Sequence, residues 1–97
     1  MEYFVSFDTV LKLEKKGYKG KTIRYHGHIY DVLKWLREEK NIFVVTFIAD
    51  DSDTPLTYEI YMGTKCLLTH HGKYFTLQEW DKCNLVGIEY VIDNNLI

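Results

Sequence analysis

The chain has 97 residues, of which 46% are hydrophobic and 27% charged, with a formal net charge of −2. That length holds one domain, 1–97, and that balance excludes a disordered or low-complexity chain. No apolar run approaches the roughly 20 residues that cross a bilayer, so no membrane partner is expected.

Ser6 is the expected N-cap of a first helix over 7–16, with Asp8 in its acidic first turn. Phe7, Val10 and Leu11 recur at i, i+3 and i+4 and mark its apolar stripe, with Leu13 at the flank. Lys15 and Lys16 suit the negative end of that helix. Gly17 offers the left-handed residue that closes it, and Tyr18 can fold back over the end. Thr22-Ile23-Arg24-Tyr25 is the best short strand candidate before a second helix, 30–40, whose inner face is Ile29, Val32, Leu33 and Leu36.

A strand is predicted from Ile42 to Ala49. It is apolar on both faces, Ile42, Val44 and Ile48 on one and Phe43, Val45 and Phe47 on the other. Such a strand is expected at the centre of its sheet or covered on both sides. Asp50 to Pro55 reads as a polar turn, Thr57 to Met62 as an alternating strand, and Lys65 to His70 as a third strand after Gly63-Thr64. Short connections make the three an antiparallel meander over 42–70.

Phe75-Thr76-Leu77-Gln78-Glu79-Trp80 is a helix start. Thr76 is the cap, Glu79 closes a capping box, and Phe75 with Trp80 forms a hydrophobic staple. The last helix runs over 77–93, with Leu77, Trp80, Leu85, Ile88, Val91 and Ile92 gathered on one side. Asn84 and Gly87 fall in or beside that arc and weaken it. Gly87 costs about 1 kcal/mol relative to Ala, so either something packs closely against its backbone, the reading preferred here, or the helix bends or breaks between Asn84 and Gly87. The fold class expected is α+β, a three-stranded antiparallel meander with three helices mainly on one face.

Phe4-Val5-Ser6-Phe7, Lys15-Lys16-Gly17-Tyr18, Trp35-Leu36-Arg37-Glu38-Glu39-Lys40-Asn41-Ile42 and the closing Tyr74-Phe75-Thr76 helix resemble a family of small uncharacterised proteins. Its members come from gut-bacterial prophages, phages and mobile elements. They open on a VSFE…KEKGF pattern, continue through WLREKHNI and end in a TYEEA helix. This sequence departs from the pattern at Asp8, Asn41 and Trp80. The resemblance implies an origin and no activity.

Four histidines stand in two pairs, His26 with His28 and His70 with His71, each pair beside a glycine. Zinc sites of the finger or ribbon type use close Cys pairs or spaced His pairs that this chain lacks, so turns are the expected role and metal-assisted catalysis a third-ranked reading. Cys66 is placed in a half-buried strand and Cys83 on the buried side of the last helix. Without a basic-then-apolar leader, both are expected to be free thiols in the cytoplasm. Asp50, Asp51 and Asp53 lack the glycine and distal glutamate of an EF-hand loop and read as a solvated tip.

The first half, residues 1–48, carries nine Lys/Arg against six Asp/Glu; the second carries three against eight. Lys15, Lys16, Lys19, Lys21 and Arg24, with Tyr18 and Tyr25 interleaved, form the best candidate for contact with nucleic acid or another anion. No catalytic residue and no cofactor is assigned. Because aromatic residues are enriched at interfaces, eight Tyr, five Phe and two Trp favour a non-enzymatic interaction protein. Its partner would be another protein or a second copy, with nucleic-acid binding as the alternative.

Overall fold

The computed structural model describes residues 4–19, 22–23 and 26–97. In chain order its elements are β1 (Phe4–Val5), α1 (Phe7–Lys15), β2 (Thr22–Ile23), β3 (His26–His28), α2 (Ile29–Lys40), β4 (Ile42–Ile48), β5 (Leu56–Met62), β6 (Lys65–Leu68), a 3-10 turn (Leu77–Glu79) and α3 (Trp80–Asp93). The fold is α+β, and β4, β5 and β6 form the antiparallel meander. A second small antiparallel sheet, in the order β1-β3-β2, was not legible in the sequence apart from Thr22-Ile23. Two- and three-residue strands are too short to show a period.

The helix ends follow local chemistry. Ser6 Oγ accepts the Thr9 N–H at 3.3 Å. Gly17 takes φ +104°, and the Tyr18 N–H reaches back to the Leu13 carbonyl at 3.1 Å, closing α1. His28 starts α2 by accepting the Tyr30 N–H on Nδ1, and Asn41 ends it in the left-handed region at φ 56°. Before α3, the Thr76 N–H donates to Glu79 Oε1 at 2.9 Å, completing the capping box.

Two inward faces differ from expectation. In α1 the buried residues are Thr9, Val10 and Leu13, while Phe7 and Leu11 are exposed. In α3 they are Cys83, Asn84, Gly87, Ile88, Val91 and Ile92, while Leu77 and Trp80 lie at the surface. The two residues that weaken the apolar arc of α3 are thus at its centre. Thr46 Oγ1 donates to Asn84 Oδ1 at 2.6 Å, which satisfies the buried amide oxygen. A Cβ on Gly87 would stand 2.4 Å from Val44 Cγ1, so the missing side chain is what lets α3 approach the sheet. With Trp80 40% exposed, Phe75 is the buried member of the expected staple pair.

The packed face of the meander carries Ile42, Val44, Leu56, Tyr58 and Ile60, covered by α2 and α3. A fully buried Leu or Ile contributes about 1.5–3 kcal/mol. Leu13, Ile29, Leu36, Ile42, Leu56, Ile60 and Ile88, all fully buried, therefore dominate the hydrophobic term. Contrary to the expectation from its two apolar faces, β4 is an edge strand: the sheet order is β4-β5-β6, with β5 central. Periodicity reports which residues are apolar, and β4 keeps apolar residues on a face that the described residues leave open.

Candidate functional site

That open face is built by the odd positions of β4 and β5. The registers Phe43↔Tyr61, Val45↔Glu59 and Phe47↔Thr57 set these residues side by side. Phe43 and Phe47 are half-buried, and Val45 is 40% exposed. Glu59 anchors the polar part of the face. It accepts the Tyr61 hydroxyl at 2.8 Å and the Thr69 hydroxyl on its other oxygen. These hydrogen bonds, Thr69's above all, hold its carboxyl below the usual glutamate range, with a smaller contribution from His70 and His71. The same bond to Glu59 pushes the Tyr61 hydroxyl up to about 12. Cys66 sits opposite Tyr61 and is exposed rather than half-buried, its thiol donating to the Leu68 carbonyl.

At the hairpin end the face runs into a cleft of about 450 Å³ lined by Phe47, Asp50, Glu59, His70, His71 and Tyr74, among others. This is where the histidine pair falls, and His71 is committed to structure. Its ring stacks on Tyr58 with centroids 4.1 Å apart. Nδ1 accepts the Lys73 N–H at 3.1 Å, which leaves Nε2–H to donate to the Tyr58 carbonyl at 2.7 Å. A ring so engaged has no free nitrogen for a proton relay or a metal. His70 is an exposed turn residue at φ 53°. His28 caps α2, and the side chain of His26 lies outside the described residues. Among the described residues no group of three His, Cys, Asp or Glu side chains is placed to hold a metal ion.

The cysteines are far apart in character. Cys83 is fully buried, and burial pushes its thiol above the usual range, against a weaker lowering by Thr46. A raised thiol under α3 is chemically quiet at neutral pH. Asp50 accepts both the backbone N–H and the hydroxyl of Ser52, at 3.0 and 2.6 Å, so the acidic tip closes on itself as an Asx-type turn.

The basic segment divides. Lys15 and Lys16 flank a hollow of about 330 Å³ beside Ile92 and Asn95, shared with Lys12, whose ammonium lies 3.5 Å from the Asp93 carboxylate. Lys19 instead lines a separate cleft with Tyr18, Asp31, Trp35, Glu38 and Glu39. In that cleft burial, with the Asp31 carboxylate second, pushes the Tyr18 hydroxyl up to about 12. Lys21 and Arg24 lie outside the described residues, as does Tyr25.

The open face was visible in the sequence as the alternation of Phe43, Val45 and Phe47; its lack of cover was not. No helix among the described residues is long and apolar enough to cross a membrane. No protein-family model matches this chain, and neither does a curated protein or a solved structure.

Proposed function

We propose that this chain is a non-enzymatic interaction protein, a cytoplasmic accessory factor of the kind phages and mobile elements carry. Its working surface is the open face of the β4–β5–β6 sheet. One observation carries the reading: Phe43, Val45 and Phe47 occupy successive outward positions of one strand, and all three stay half-buried or exposed among the described residues. Apolar side chains aligned on a rigid sheet are what a protein partner buries. The polar groups that catalysis would need are engaged elsewhere, His71 by two backbone groups and Glu59 by two hydroxyls.

The nucleic-acid alternative draws less support, since Lys12 is paired with Asp93 and Lys19 stands among three carboxylates. It predicts oligonucleotide retardation that falls steeply with salt. The interaction reading is tested by immobilising the protein and a Phe43→Lys/Phe47→Lys variant with unchanged circular dichroism. Wild type should retain a host protein, or itself, and the variant should not. Absence of any face-dependent association would sink the reading.

A further inference from the structure

Which backbone groups of β4 are free follows from the register. The Gly63 N–H donates to the Asn41 carbonyl and the Ala49 N–H to the Pro55 carbonyl. Odd positions of β4 therefore exchange hydrogen bonds with β5, and the N–H and C=O groups of Ile42, Val44, Thr46 and Ile48 point away from the sheet. Among the described residues no strand meets them.

The opposite side of the sheet is protected. The register of β5 with β6 is broken by a bulge between Ile60 and Tyr61, and β6 begins with Lys65. Past β6 the chain returns to cover β5, where Phe75 bridges Leu56 and His71 donates to the Tyr58 carbonyl. Bulges, lysines and covering segments are how natural sheets stop edge-to-edge pairing. Among the described residues β4 has none of them: seven residues, regular throughout its register with β5, with no charged residue or proline from Ile42 to Ala49.

We propose that the occupant of this edge is a second copy of the chain, paired antiparallel β4 to β4 about a two-fold axis at Val45; this rests on the interaction reading above. Only a centre at Val45 pairs all seven residues while keeping the outward groups of one strand opposite those of the other. Ile42 then exchanges hydrogen bonds with Ile48 of the second copy, and Val44 with Thr46. On the open face Phe43 meets the second copy's Phe47, and Val45 meets its own counterpart. These are the non-hydrogen-bonded pairs, in which side chains approach most closely and aromatic contacts contribute most. Val45 and Ile48, 40% and 62% exposed, gain the cover they lack.

Charge agrees with this direction. One end of β4 follows the last turn of α2, with Arg37 exposed there and Lys40 held over the Trp35 ring, and the other runs into Asp50, Asp51 and Asp53. Antiparallel pairing sets each acidic tip beside the other copy's cationic turn. Glu38 and Glu39 of that turn line the Tyr18–Trp35 cleft instead.

The test is the solution mass of the full chain by light scattering and sedimentation, for wild type, Val45→Lys, Val45→Glu and an equal mixture of the two variants. Wild type should show twice the 11.6 kDa of one chain. Each single variant should weaken the pair by about a hundredfold or more, because two like charges face each other at the axis. The mixture should restore it. In a Cys66→Ser background, Val45→Cys should form an interchain disulfide under mild oxidation. Monomeric wild type, a dimer indifferent to Val45→Lys, or a mixture that stays monomeric would overturn self-pairing. Monomeric wild type that still shows face-dependent capture of a different protein would overturn self-pairing alone and leave the interaction reading standing.

Discussion

Gly87→Ala sets two quantifiable effects against each other. In an isolated helix the change is favourable by about 1 kcal/mol, through backbone entropy. In α3 the new methyl would lie 2.4 Å from Val44 Cγ1 and 3.3 Å from Tyr58 Cδ2. Carbon atoms rest at roughly 3.5–4.0 Å, so α3 and β4 must separate by about 1 Å or Val44 must leave its rotamer. A β-branched side chain on a strand has little freedom at χ1, and Tyr58 closes the other direction of escape. Overpacking of this kind costs about 1–3 kcal/mol. The net expectation is a loss of about 0–2 kcal/mol, with a fall in Tm of about 4–8 °C for each kcal/mol lost. Urea and thermal unfolding followed by far-UV circular dichroism measure it. Val44→Ala removes the atom that the methyl meets, so Gly87→Ala should cost less in that background, giving a favourable coupling energy in the double-mutant cycle. A Gly87→Ala protein more stable than wild type, or strict additivity with Val44→Ala, would refute the close approach of α3 to the sheet.

Three further outcomes rest on the same packing. The Tyr58 hydroxyl is buried with no hydrogen-bond partner among the described residues, and burial pushes it up to about 12. Tyr58→Phe should therefore stabilise the protein by about 1 kcal/mol, and a drop in Tm would show that the hydroxyl is bonded after all. Thiol labelling under native conditions should modify Cys66 rapidly and Cys83 only on unfolding; two fast-reacting thiols would contradict the burial of α3. Glu59 is held below the ordinary glutamate range, so its contribution to stability is complete above that range and is lost as pH falls toward its folded-state value. The Tm difference between wild type and Glu59→Gln should accordingly shrink on acidification, and a difference independent of pH would remove Glu59 from the account of acid stability.

The sequence by itself determined the ends of the elements and their order. Ser6, Gly17, Thr76 and Glu79 act within a few residues of themselves, through hydrogen bonds and φ values that need no distant partner. The inner face of α2 was legible for a similar reason, because Ile29, Val32, Leu33 and Leu36 repeat at the helical period and nothing competes with them. Tertiary structure decided what local chemistry does not encode. It turned α3 so that Asn84 meets Thr46 and Gly87 meets Val44, burying the two residues that look weakest on a helical wheel and leaving Trp80 outside. It also put β4 at the edge of its sheet. Apolar alternation says that Phe43, Val45 and Phe47 favour burial; where a strand sits among its neighbours depends on pairings made across the whole chain, and the partner that covers such a face need not belong to the chain at all.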